Sequence, residues 1–114
     1  MVQNQPDIQI QDAPPLTTTD VEYLVVSDEE LEKPYRIIIQ NDDVTPMDFV
    51  VVVLRLFFDL DFDRAFQVMM KAHRHGRAHV TTLPYEEAKE RVYAAHSAAR
   101  EASYPLTFYL EPDE

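Results

Sequence analysis

The sequence contains no cysteine, which excludes a disulfide framework and any chemistry that needs a thiolate. Glycine is nearly absent as well. The single one, Gly76, cannot form a glycine-rich oxyanion loop beside a nucleophile. Basic residues are scarce: 10 Lys and Arg against 21 Asp and Glu leave a net charge of −11. A phosphate backbone requires a basic face, so nucleic acid is not an expected partner. No apolar run approaches the roughly 20 residues that cross a bilayer. The chain also opens without the charged-then-apolar pattern of a secretory leader. A soluble cytoplasmic protein that does not contact membrane is the resulting expectation.

What is present is enough apolar material for one domain: 46% of 114 residues are hydrophobic. It is unevenly spread. Residues 1–33 carry Asp7, Asp12, Asp20, Glu22, Asp28, Glu29, Glu30 and Glu32 against the single Lys33, with Pro6, Pro14 and Pro15 and little apolar periodicity. Such a segment cannot bury enough surface to offset its ordering entropy, so it reads as a disordered acidic arm. Within it, "VEYLVV" (Val21–Val26) has the composition of a short strand or docking patch. Residues 34–114 then form the folded part, small for a self-supporting core.

Along that part, "YRIIIQ" (Tyr35–Gln40) is β-branched and bounded by Pro34 and Asn41, as a strand is. Thr45-Pro46-Met47-Asp48 reads as N-cap, proline at the first helical position and an acidic third position. The following "MDFVVVVLRLFF" sets the β-propensity of Val50–Val53 against a strong start signal and a length of 12 residues, and a buried helix to about Phe58 is expected. A second helix starts at Asp61 or Asp63, carries Ala65, Val68, Met69 and Ala72 at helical spacing, and closes at Gly76. Arg77–Leu83 reads as a strand. Pro84 opens a third helix to about Ser103, with Glu86 and Glu87 in its first turn, and Pro105–Glu111 reads as a last strand. The order β-α-α-β-α-β implies an α+β fold, a small three-stranded antiparallel sheet packed against three helices.

Three constellations invite a chemical reading. Asp59-Leu60-Asp61-Phe62-Asp63 looks like the start of a calcium loop, but Arg64 stands where that loop needs glycine and Met70 where it needs glutamate. Helix capping accounts for it better. His73, His75, His79 and His96 suggest a metal cluster, yet His73 and His75 lie about 200° apart around a helix. No acid sits at a ligand spacing either, and no metal is expected. Asp42 or Asp43 with His73 would make an acid–base pair, so a small metal-dependent or acid–base enzyme stays open as an alternative, although no Ser, Cys or Lys nucleophile accompanies them.

A fourth reading joins the pieces. Met47 and Val50 share a face of the first helix; Met69, Ala72 and His73 share a face of the second. If those faces meet near Asn41-Asp42-Asp43, they form an apolar slot with hydrogen-bond acceptors at its mouth. Such a slot suits an ammonium head on an apolar side chain, the free amino end of a polypeptide whose first residue is large and hydrophobic. The competing reading makes the three polar residues a solvated turn and the methionines core filling, and spacing alone does not separate the two.

The stretches "YRIIIQNDDVTPMDFVVVVLRLFF", "VMMKAHRHG" and "YPLTFYLE" together resemble ClpS, the adaptor family that brings N-degron substrates to a Clp AAA+ unfoldase–protease, over about residues 34–111. The resemblance implies a fold like the C-terminal domain of the ribosomal stalk protein, and a non-catalytic, monomeric binding module without cofactor. It implies that Asn41, Asp42 and His73 bind the substrate α-amino group, with Asp43 supporting the loop. Thr45, Met47, Val50, Met69 and Leu106 would line the pocket for the first side chain, Met47 acting as a gate against β-branched residues. Ala72 stands where many relatives carry a larger aliphatic residue. Glu86 and Arg91 match charged positions used against the N-terminal domain of a ClpA- or ClpC-type unfoldase. The acidic arm matches in position a flexible extension that enters the unfoldase pore.

Overall fold

The computed structural model describes residues 28–114. The short strand or docking patch read at Val21–Val26 and most of the acidic arm lie outside the described residues. Asp28–Glu32, placed in that arm by composition, form a short helix, α1, with no buried residue. A compact unit spans Glu32–Glu114.

Its centre is strand β1, Pro34–Gln40, flanked by β2, Arg77–Pro84, and β3, Thr107–Pro112, in the antiparallel order β2-β1-β3. Both pairings run the length of β1, from Pro34 opposite Pro84 to Gln40 opposite Arg77, and from Tyr35 opposite Pro112 to Gln40 opposite Thr107. Side chains alternate across a strand. Ile37 and Ile39 therefore enter the core together with Val80 and Phe108. Ile38 falls on the opposite face between its neighbours His79 and Tyr109. That face is polar: Arg36 and Arg77 both reach Glu111, at 3.9 and 3.7 Å, and Arg77 also donates to the Tyr109 hydroxyl.

Three helices cover the inner face: α2, Met47–Phe58; α3, Phe62–His75; and α4, Tyr85–Glu101. The β-propensity of the valine run in α2 yields to burial, since Val50, Val51, Val53, Leu54 and Phe58 all enter the core. The start of α2 differs from the expected one. Pro46 occupies the N-cap and no side chain caps it. Thr45 is engaged elsewhere, donating its hydroxyl to Asp42 Oδ2 at 2.9 Å. Asp48 does not reach back as a capping-box acid does; its Oδ1 accepts the N–H of Phe49 at 2.9 Å.

The Asp-rich stretch between α2 and α3 is built from two caps. Asp59 ends α2 in the left-handed conformation (φ 60°). Asp61 begins α3 by accepting the Arg64 N–H at 2.8 Å. Gly76 ends α3 at φ 91°, where glycine avoids the steric penalty of a Cβ, and its N–H donates to the Ala72 carbonyl.

Candidate functional site

The end of β1 and the end of α3 are tied by one backbone hydrogen bond, the Asn41 N–H donating to the Gly76 carbonyl at 2.9 Å, and the start of α2 follows six residues on. This bond ties the residue leaving the central strand to the residue leaving α3. The segment 41–46 is thereby held beside the last turn of α3, which carries His73.

Asp42 shapes that segment. Its Oδ1 accepts the backbone N–H groups of Val44 at 2.8 Å and Thr45 at 2.7 Å, and its Oδ2 accepts the Thr45 hydroxyl. This is the local turn that aspartate favours, closed by an extra hydroxyl. Desolvation pushes the Asp42 carboxyl upward. The hydrogen bonds from Thr45 and Val44, with the positive charge of Arg100, outweigh it and hold the group below the usual aspartate value of 3.8. It is therefore an anion at neutral pH, and Oδ2 keeps a second acceptor position beyond its bond to Thr45.

A cleft of about 300 Å³ opens under this turn. Asn41, Asp42, Asp43 and His73 stand around it as polar groups. Asn41 and Asp42 are half-buried, whereas Asp43 and His73 are exposed. The apolar wall comes from three elements. Val50 is supplied by α2, Met69 and Ala72 by α3, and Leu106 by the connection into β3, all four buried. Thr45 and Met47 stand at its edge, Met47 with 43% of its surface exposed. The small side chain of Ala72, 2% exposed, leaves space that a longer aliphatic residue would fill.

Ile39, Gln40, Val44 and Pro46 also line the cleft and were not assigned to it from the sequence. Their adjacency to Asn41 and Thr45 was the available signal. Arg100 was missed entirely. Its guanidinium donates to the carbonyls of Tyr104 at 3.0 Å and Leu106 at 2.7 Å, fixing the connection that delivers Leu106 to the cleft. The edge-on packing of Phe49 against Tyr104, 4.8 Å between centroids, braces the same connection from α2.

Glu86 and Arg91 are not brought to the cleft. They lie on α4, where Glu86 pairs with Lys89 at 3.8 Å. Arg91 binds Glu87 at 2.7 Å and the Phe57 carbonyl in the last turn of α2 at 3.3 Å. The four histidines do not assemble either. His79 contacts the Thr82 hydroxyl, and His96 accepts the Phe108 N–H. Among the described residues no group of three acidic or imidazole side chains is placed to hold a metal ion. No described helix is long and apolar enough to cross a membrane.

The family described as "ATP-dependent Clp protease adaptor protein ClpS" matches residues 30–109. A ClpS adapter protein of Aromatoleum aromaticum is 38% identical over 93 residues, 79% of this chain and 91% of that protein. A second ClpS adapter, ClpS 2 of Agrobacterium fabrum, is 40% identical over 87 residues, 75% of this chain and 84% of its own. Among solved structures, Agrobacterium tumefaciens ClpS2 bound to L-phenylalaninamide superposes with a TM-score of 0.69 at 39% identity, covering 72% of this chain and 99% of that one. The chain belongs to the ClpS family of ATP-dependent Clp protease adaptor proteins.

Proposed function

We propose that the protein is a non-catalytic adaptor that binds the free α-amino group and the large hydrophobic first residue, Leu, Phe, Tyr or Trp, of N-degron substrates, and delivers them to a Clp AAA+ unfoldase. One observation carries the reading: an anionic, hydrogen-bond-accepting rim and a buried aliphatic wall share a single cleft of about 300 Å³. An α-ammonium offers three N–H donors. The Asn41 carbonyl, the Asp42 carboxylate and a His73 ring nitrogen supply matching acceptors, and charge-assisted bonds of this kind are the stronger ones. Asp43 extends the negative rim. Val50, Met69, Ala72 and Leu106 then receive the first side chain, with Thr45 and Met47 at the entrance. The relative solved with L-phenylalaninamide binds a compound of this description, a free α-amino group beside a benzyl side chain.

In this reading the unfoldase partner, ClpA- or ClpC-type, docks by its N-terminal domain on the α4 surface that presents Glu86 and Arg91. That surface is separate from the cleft, as capture and delivery require. The acidic arm 1–33 serves delivery rather than capture, and the protein works as a cytoplasmic monomer. An acid–base enzyme built on Asp42, Asp43 and His73 is the weaker account. The Asp42 carboxylate is committed to three internal hydrogen bonds and held acidic, the reverse of what a general base at neutral pH needs.

The test is fluorescence anisotropy with a labelled peptide beginning with Phe or Leu, set against its N-acetylated twin. Binding of the free amine and its loss on acetylation are expected, because a neutral amide leaves the acceptors desolvated and without a charge to meet. Equal binding of both peptides, or of neither, would leave only a shared fold.

A further inference from the structure

Phe62 and Phe66, one turn apart on α3, are 53% and 45% exposed. Their rings stack with centroids 6.1 Å apart, and the Arg55 guanidinium lies 6.0 Å from the Phe62 ring. Across from them α2 presents Val52, itself 48% exposed. These residues bound a second, shallow groove of about 410 Å³ between α2 and α3, with Asp48 and Arg55 as its charged lining residues. Paired exposed aromatics in a groove are a feature that soluble surfaces otherwise avoid and that peptide-binding grooves use.

The groove adjoins the cleft, since Met47 and Met69 line both. A peptide whose first side chain fills the cleft has this groove within reach of its next residues, across the Met47–Met69 wall. We propose that the groove is an extended subsite for the residues that follow the first one in the substrate, and that it favours apolar side chains at the second and third positions. This rests on the reading of the cleft as an amino-terminus site. A second copy of the chain is a poorer occupant, because a stable protein interface buries about 800 Å² and 20–30 residues a side. The groove between α2 and α3 has only eight lining residues, two of them shared with the cleft.

The experiment uses the full chain and three probes: L-phenylalaninamide as a competitor, and labelled peptides beginning Phe-Leu-Leu and Phe-Ser-Ser. The apolar peptide should bind about five- to tenfold more tightly than the serine peptide, the gain that partial burial of two leucines supplies. The double variant Phe62→Ser/Phe66→Ser should erase that advantage while L-phenylalaninamide competes as before. Val52→Ser, a single exposed position on the other helix, should reduce it. Equal affinities in the unsubstituted protein, or an advantage that survives in both variants, would overturn the proposal. So would a general rise in affinity on substitution, which would mean that another segment of this chain covers the groove. A fall in molecular mass without change in peptide preference would likewise assign the face to a second copy. Failure of every probe to bind the unsubstituted protein would remove the cleft reading itself, a result separable from these because in them L-phenylalaninamide still binds.

Discussion

At the scale of single residues, Asp42 combines two tasks that can be pulled apart. Its carboxylate closes the turn through Val44 and Thr45, and in the proposed function it also meets an ammonium. Asp42→Asn keeps an oxygen for the backbone N–H groups and removes the charge. Loss of a charge-assisted hydrogen bond costs about 1.5–3 kcal/mol, so peptide affinity should fall roughly 10- to 150-fold while the thermal midpoint changes far less. Anisotropy and thermal melting on the same variant check this. A lowered midpoint with unchanged affinity would confine Asp42 to the turn. The sequence showed Asp42 as an acceptor but not what it accepts. Thr45 was assigned as a helix cap on its spacing from Asp48, yet its hydroxyl is spent on Asp42. A three-residue offset looks the same in a sequence whether it closes a turn or caps a helix. Arg100 was invisible for a different cause: its targets are backbone carbonyls, which no residue type announces.

At the scale of elements, the turn that ends α3 depends on the backbone freedom of one residue. Gly76 sits at φ 91°, and a Cβ built there would meet nothing within 4 Å. The cost of Gly76→Ala is therefore backbone strain alone, about 1–2 kcal/mol. Urea unfolding should show a lower midpoint with an unchanged m-value. An unchanged midpoint would mean that the backbone relaxes out of the left-handed region. The elements themselves were largely legible. Ala65, Val68, Met69 and Ala72, picked out by spacing, are the buried residues of α3. The valine run of α2 was harder, because propensity and length disagreed and only tertiary burial decides such a conflict. The short helix α1 gave no signal, since Asp28–Glu32 has the composition of the acidic segment around it.

At the scale of the whole molecule, two half-buried imidazoles link stability to pH. Burial, then the charges of Arg36 and Arg64, hold His79 below the ordinary histidine value of 6.5. Burial, then Arg100, does the same for His96. Both rings take up a proton less readily in the folded chain than in the unfolded one. Their contribution to stability is thus complete above about pH 6.5 and is lost as pH falls through the lower folded values. The thermal midpoint should drop between about pH 7.5 and about pH 5.5. His96→Gln, which keeps an acceptor for the Phe108 N–H, should flatten part of that slope. A profile of identical slope in the variant would assign the effect elsewhere.

The central position of β1 has a further consequence. The strand carries the chain from Pro34 to Gln40, and the cleft begins at its far end. Seven residues at about 3.3 Å each put the root of everything upstream some 20 Å from the cleft. A fluorophore, an affinity handle or a foreign leader joined directly at Pro34 would thus have its attachment point about 20 Å from the cleft. The strand works as a spacer bar, and the amino-terminal side is the place to immobilise this protein when its cleft must stay clear.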